Sequence, residues 1–397
     1  MIPFSPPRID DETITAVSDA LRSGWITTGP RTKKFEAELA NFLQARKVAC
    51  MGSWTGGAEL ALRWFGIGEG DEVLLPAYTY AASANVICHV GAKPILIDSK
   101  PGGFNVDMQS MLDRVTQNTK ALMPVDIGGI PATIKSVQGE LPNLISPNNA
   151  AQGNLGRPLV FSDAAHSIGA KINGTPAGST ADIAGYSFHA VKNLTTAEGG
   201  ALAFYNENLD AEALYKWFMK MSLHGQSKDA LAKTNSGGWR YDIDEHGYKC
   251  NMTDIQAAIG LVELARYENN MLKRRADICS QYDAAFGEYD WAELRPTPQG
   301  VESSNHLYML RIREASEAQR DEIIDEILAA GVSVNVHFMP LPMLTVFARM
   351  GYKMEDYPNA FDAYSREISL PVYYDLTDNQ VDQVIDTAVK AIQKVLG

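Results

Sequence analysis

Basic side chains are in short supply in this chain. Lys and Arg number 35 against 48 Asp and Glu in 397 residues, a formal net charge of −13. That balance argues against a broad nucleic-acid or anionic-membrane surface and leaves any phosphorylated ligand to local donors. Cysteine is scarcer still. Cys50, Cys88, Cys250 and Cys279 lie far apart with no Cys-x-x-Cys pair, so neither a disulfide framework nor a zinc site is expected, and a reducing cytoplasmic location is the default. No apolar run is long enough to cross a bilayer, and residues 1–7 lack the basic region and apolar stretch of a targeting signal, so no membrane partner is expected. The seven histidines form no His-Glu-x-x-His, and no catalytic metal is expected. Internal repeats and low-complexity tracts are missing as well.

What the chain does have is enough apolar material for a large core, with 45% hydrophobic and 21% charged residues. Its length suits two domains sharing one cleft. Apolar runs at 48–50, 71–75, 94–98, 121–125 and 158–163 are interleaved with amphipathic stretches, the pattern of an α/β fold with a mostly parallel, doubly wound sheet. Helices are expected over residues 11–23, 107–116 and 208–221, and one long helix from 253 past 275. Residues 143–156, rich in Asn, Pro, Gly and Ser, read as a surface insertion. Beyond the long helix, a strand at 307–312, a helix at 315–329, a strand at 332–336 and helices at 360–367 and 378–396 make a smaller α+β domain. The expected division is 1–260 for the large domain and 261–397 for the small one. Gly66-Ile67-Gly68-Glu69-Gly70 follows a helix and precedes a strand, the reverse of a dinucleotide fingerprint, and reads as a helix terminator.

Two segments carry chemistry. Residues 158–163 are an apolar run ending in Asp163, followed by Ala164, Ala165 and His166; it reads as a buried parallel strand delivering polar residues to a loop. Downstream comes Tyr186-Ser187-Phe188-His189-Ala190-Val191-Lys192-Asn193-Leu194-Thr195-Thr196, then Glu198-Gly199-Gly200. Alone, Asp163 would be a strand-terminal cap and Lys192 a solvated lysine. Together they fit a carbonyl cofactor: the amine can form a Schiff base, and the carboxylate keeps a ring nitrogen protonated, which pyridoxal phosphate (PLP) needs to act as an electron sink. Gly52-Ser53-Trp54-Thr55-Gly56-Gly57, between a strand and a helix, is either a phosphate site or a plain helix cap. Of Tyr78 and Tyr80, one could stack flat on a pyridine ring and the other pack in the core. His306, Tyr308 and His337 fall at strand ends facing the expected cleft.

These motifs resemble the DegT family of PLP-dependent nucleotide-sugar aminotransferases, over nearly the whole length from Ser23-Gly24-Trp25 to Leu370-Pro371-Val372. The resemblance implies fold type I, a seven-stranded type of sheet, and Lys192 as covalent anchor and general base. By the same likeness Asp163 meets the ring nitrogen, His166 borders the ring or its phenolic oxygen, Tyr80 stacks, and Trp54, Thr55 and Ser187 hold the phosphate. It further implies a homodimer with shared sites. Asn251 would reach the partner's cofactor phosphate and Lys249 the partner's phosphate or substrate, simple exposure being the other reading for Lys249. His224 and His337 complete the expected substrate contacts. Many members carry His-Leu-Tyr-Gly where this chain has Asp126-Ile127-Gly128-Gly129, and Asn-Tyr-Arg where it has Lys249-Cys250-Asn251, so contacts there should differ.

The activity implied is transfer of an amino group from L-glutamate to a nucleotide-linked keto-deoxysugar, foremost a UDP-4-keto-6-deoxyhexose, in surface-polysaccharide or glycan amino-sugar biosynthesis. The alternatives are a C3 aminotransferase, a sugar dehydratase, in which the lysine gives way to histidine, and a non-catalytic regulator on the same scaffold.

Overall fold

The computed structural model describes residues 1–134, 139–144, 146–227, 241–295 and 297–397. Its strands are β1 (Lys47–Met51), β2 (Glu72–Pro76), β3 (Lys93–Ile97), β4 (Thr119–Leu122), β5 (Leu159–Asp163), β6 (Lys171–Ile172), β7 (Thr175–Pro176), β8 (Ile183–Ser187), β9 (Gly200–Phe204), β10 (Ala292–Glu293), β11 (Val301–Glu302), β12 (Tyr308–Ile312) and β13 (Glu367–Leu370). Seven of them form one sheet in the order β1-β9-β8-β5-β4-β2-β3. The pairs β2–β3, β2–β4, β4–β5 and β5–β8 are parallel, whereas β9 runs antiparallel to β1 and β8.

Both faces of this sheet are covered, which is why its strands read as near-continuous apolar runs. Ala49, Met51, Leu202 and Phe204 point into one core, which holds residues of helices Trp54–Trp64, Ala81–His89 and Ala211–Met221. Val48, Cys50, Ala201 and Ala203 point into the other, with Phe35, Leu39, Ala257 and Leu264 of helices Pro30–Leu43 and Asp254–Arg266. A separate core gathers Ile278, Tyr282, Phe286, Leu310, Ile323, Ile368, Val384 and Ile392, along with Ile2. Helices Lys273–Phe286, Glu317–Ala329 and Asp378–Leu396 supply it together with the antiparallel sheet β10-β12-β13.

Several expectations are corrected here. Residues 332–336 form no strand: Val332 bridges only Ile2 and Asn335 only Ser369, so two different neighbours take one residue each and no ladder grows. The expected helix 360–367 is Pro358–Ser365, and Glu367 instead opens β13, which pairs with β12. The long helix is broken by a π-turn at Tyr267–Leu272, where the Tyr267 hydroxyl reaches the Ile168 carbonyl at 2.8 Å. The supposed surface insertion is partly docked. Asn149 and Gln152 donate to the carbonyls of Trp64 and Phe65, at 2.8 and 2.5 Å, and helix Ala150–Leu155 buries Leu155. Residue 145 of that stretch lies outside the described residues.

Beneath the cleft the main chain is stitched across. Ser304 N–H donates to the Gly129 carbonyl at 3.0 Å and Leu307 N–H to that of Gly128 at 3.2 Å. Gly129 sits at φ +95°, where a Cβ would come within 2.3 Å of Ser304 Oγ and 3.0 Å of the His306 nitrogen, so only glycine fits.

Candidate active site

At the carboxyl ends of β5 and β8 lies a cavity of about 350 Å³ whose lining includes Ser53, Trp54, Thr55, Tyr80, Asp163, His166, Ser187, Lys192, His306 and His337. Ends of neighbouring parallel strands are where such sheets bind ligands. Asp163 closes β5 and Ser187 closes β8. The Asp163 carboxylate accepts from Ser83 Oγ at 2.7 Å and from Ala165 N–H at 3.2 Å. Burial raises its acid to about 6, with those donors and the Lys192 ammonium pulling the other way.

Lys192 stands in a loop closed by its own main chain, with Phe188 N–H to the Gly199 carbonyl and Thr196 N–H to the Phe188 carbonyl, both 2.9 Å. The small polar residues around it serve this loop. Thr195 Oγ1 donates to the Phe188 carbonyl at 3.1 Å, and Asn193 Nδ2 donates to the Ser304 carbonyl at 2.8 Å while Oδ1 lies 2.9 Å from His306 Nδ1. Burial lowers the Lys192 amine to about 8, against the opposing pull of Asp163. A neutral amine is therefore available near physiological pH, as a nucleophile or base requires.

His166, His306 and His337 are neutral. Burial, then Lys192 and His337, keep His166 well below the usual imidazole range, and His306 is held low by burial and by His166. Gly128 N–H donates to His166 Nδ1 at 3.3 Å, which places the ring's own proton on Nε2. Asp126, which stands where many members of the resembling family carry histidine, is raised by burial to about 7; it accepts from Ala132 N–H at 2.8 Å and from the Ser167 hydroxyl.

A phosphorylated pyridine carbonyl fits this donor set. In the first turn of helix Trp54–Trp64, Gly56 N–H is taken by Ser53 Oγ at 3.0 Å and Gly57 N–H by the Ser53 carbonyl at 3.3 Å. The amides of Trp54 and Thr55 have no partner among the described residues, and they share the cavity with the Ser187 hydroxyl. A Cβ on Gly200 would come within 2.3 Å of the Trp54 nitrogen, so β9 reaches the cradle only as glycine. Tyr80, 64% exposed in the single chain, precedes helix Ala81–His89 with its ring 5.8 Å from Phe338.

The structure thus brings together Trp54, Thr55, Tyr80, Asp163, His166, Ser187, Lys192 and His337, and it separates the rest. His224 is exposed at φ +64° and, like Lys249 and Asn251, does not line this chain's cavity. Lys249 is exposed and bonds Asn251 Oδ1, while Asn251 Nδ2 donates to Thr28 Oγ1 at 2.7 Å. Residues 228–240, part of a polar, lysine-bearing stretch that runs from Gly225 to Tyr248, lie outside the described residues. Tyr308 turns away from the cleft, its hydroxyl on Asp283 at 2.8 Å. Sequence reasoning missed Ser83, Phe4 and Ser5. The last two belong to an N-terminal segment that lines the cavity, Phe4 stacking on His337 at 5.4 Å; no periodicity marks it.

Comparisons with known proteins identify the family and the fold. Residues 7–389 match the family model of the DegT/DnrJ/EryC1/StrS aminotransferases. The spore coat polysaccharide biosynthesis protein SpsC of Bacillus subtilis is 35% identical over 397 residues, covering 99% of this chain and 97% of its own. An uncharacterized protein of Methanocaldococcus jannaschii is 37% identical over 399 residues, covering 100% and 98%. Among solved structures, the putative sugar aminotransferase Spr1654 from Streptococcus pneumoniae superposes in its PMP form with TM-score 0.96 at 44% identity, covering all of both chains, and in its PLP form with 0.95 at 42%.

Proposed function

The chain belongs to the DegT/DnrJ/EryC1/StrS aminotransferase family, and on that premise we propose that this PLP-dependent sugar aminotransferase takes its amino group from L-glutamate and delivers it to a nucleotide-linked keto-deoxysugar, foremost a UDP-4-keto-6-deoxyhexose. The observation that carries the reading is the convergence of Lys192 and Asp163 on one cavity with free amides at its rim. The polysaccharide role named for SpsC supports a sugar acceptor.

PLP, when bound, supplies an electron sink and a carrier for the amino group. The chain's own residues do the rest. Trp54 and Thr55 amides and the Ser187 hydroxyl hold the phosphate, sharing the positive end of a helix dipole. Asp163 meets the ring nitrogen, held in place by Ser83. Lys192 Nζ would anchor the cofactor, and its neutral amine would take and return the proton at the substrate carbon. His166 offers Nε2–H toward the ring's oxygen, and Tyr80 covers one ring face and excludes water.

We place Lys249, Asn251 and His224 in the partner subunit's site of a homodimer, Lys249 and His224 being exposed on this chain. The four cysteines are unpaired, and no helix among the described residues is long and apolar enough to cross a membrane. The expected partition remains 1–260 for cofactor binding and 261–397 for the smaller part.

The test is the visible spectrum of the PLP-loaded protein before and after L-glutamate, beside Lys192→Ala. The wild type should show a cofactor band that glutamate shifts to shorter wavelength, and the variant should show neither. Failure to bind supplied PLP would overturn the reading.

A further inference from the structure

Behind the cavity wall stands a line of three polar side chains that the transfer reaction, as described, leaves unused. Glu367 and Ser369 are two residues apart on β13, so both project from the same face of the strand, and both are fully buried. Ser369 Oγ bonds Glu367 Oε1 and lies 2.9 Å from His337 Nδ1. The His337 N–H donates to Glu367 Oε2 at 3.0 Å, and its carbonyl accepts from the Tyr78 hydroxyl. Phe4 stacks on the imidazole at 5.4 Å and Phe338 meets it edge-on at 5.1 Å. Nε2 is the polar atom of His337 left over, on a ring that shares the cavity with Lys192.

We propose that Glu367, Ser369 and His337 form a proton relay that sets whether Nε2 of His337 meets the substrate as a hydrogen-bond donor or as an acceptor. A serine hydroxyl has one proton and can donate in one direction only. With Glu367 protonated, its O–H donates to Ser369 Oγ, Ser369 donates to Nδ1, and the ring proton sits on Nε2. When Glu367 gives its proton to solvent, Ser369 turns to the carboxylate, Nδ1–H donates to Ser369, and Nε2 keeps a lone pair. The imidazole carries one proton in both states, and the only proton lost is that of Glu367.

The surroundings make the switch accessible. Burial raises Glu367 to about 8, opposed by Ser369, the His337 amide and Arg320. Burial and Lys192 hold His337 at about 3, so the ring stays neutral throughout. The other groups facing Glu367 are Arg320 of helix Glu317–Ala329, which donates to the Glu367 carbonyl at 3.1 Å, Tyr78 from beyond β2, and its cross-strand neighbour Arg311 on β12, paired with Glu293 at 3.1 Å. Near neutral pH the donor form dominates, which suits an acceptor oxygen; the carboxylate of the amino donor is the one assigned here, and that assignment rests on the proposed use of L-glutamate.

Two measurements test the relay. In ¹⁵N-histidine-labelled protein, the His337 signals, assigned with His337→Gln, should report Nε2–H at pH 7 and exchange to Nδ1–H with a midpoint near 8. Glu367→Gln, whose amide always donates to Ser369, should stay in the Nε2–H form; a switch that persists in this variant, or its absence from the wild type, overturns the relay. In the second, the cofactor band is titrated with L-glutamate across pH 7 to 9.5. The wild type should lose about tenfold more affinity than Glu367→Gln, the loss of one charge-assisted hydrogen bond, and equal slopes overturn the assignment to the carboxylate. A wild type that switches tautomer yet shows no response to glutamate at pH 7 overturns the amino-donor reading instead.

Discussion

Asp163 shows what a single side chain can disclose. Neither an anion at the end of an apolar strand nor a lysine in a polar loop states its chemistry by itself; the two motifs read together placed both in one cleft, where the structure has them. Ser83 was not legible: it is 80 positions from Asp163 and becomes its partner only when β5 lies beside the helix that follows β2. Asn193 adjoins Lys192 in sequence, yet its amide serves His306 and Ser304, 111 or more positions away. Two outcomes follow at this scale. Asp163→Asn keeps the hydrogen-bonding shape but removes the charge, and steady-state turnover should fall by about 10²–10⁴-fold with PLP still bound. Asn193→Ala strands the buried His306 Nδ1, and denaturant melts should register a loss of about 1–3 kcal/mol.

Elements were legible where periodicity and capping agree, and misread where a neighbour decides. Helix Asp378–Leu396 has its Thr377 capping box and an apolar stripe in its own residues. Residues 332–336 read as a strand and Glu367 as the end of a helix, and partners decided both: the first finds no ladder, whereas Glu367–Leu370 pairs with β12. The start of helix Pro30–Leu43 depends on a distant residue. Its N-cap, Gly29, has no side chain, and Asp254 supplies the cap instead, accepting from Gly29 N–H at 2.8 Å, Arg31 N–H at 3.0 Å, Thr32 N–H at 2.9 Å and Thr32 Oγ1 at 2.7 Å. The motif around Thr28 and the motif around Asn251 are thus one structural unit, although they are over 200 residues apart in sequence. Asp254→Ala should cost at least about 3 kcal/mol, since several hydrogen bonds to a buried carboxylate are lost together. Thermal melts measure the loss, and a shift under 1 °C would contradict the cap.

For the molecule as a whole, the parallel sheet and the cleft at its carboxyl edge were legible, because strands buried on both faces write long apolar runs. The stitched floor of the cleft was not, because main-chain hydrogen bonds leave no mark on residue type. Shared sites predict complementation. Lys192→Ala and Asn251→Ala proteins, each inactive, should regain activity when mixed under conditions that let subunits exchange, and no recovery would place Asn251 in its own chain's site. Titration predicts a second behaviour. Asp126, raised to about 7, contributes stability that is complete below its unfolded value of 3.8 and is lost as pH rises through 7. His166 and His337, neutral in the fold, lose their protons in the unfolded chain around 6.5 and partly offset this at the lower end of the range, while Glu367, raised to about 8, adds to it. The melting temperature of the cofactor-free protein should therefore fall from pH 6.5 to 8.5, and less steeply in Asp126→Asn. The stitch itself bears on motion. Swinging the two sides of the cleft apart would tear the Ser304–Gly129 and Leu307–Gly128 bonds, so these amides should trade hydrogen for deuterium only as slowly as the entire protein unfolds. Substrates would then come and go through loops at the rim, with the floor as rigid as masonry.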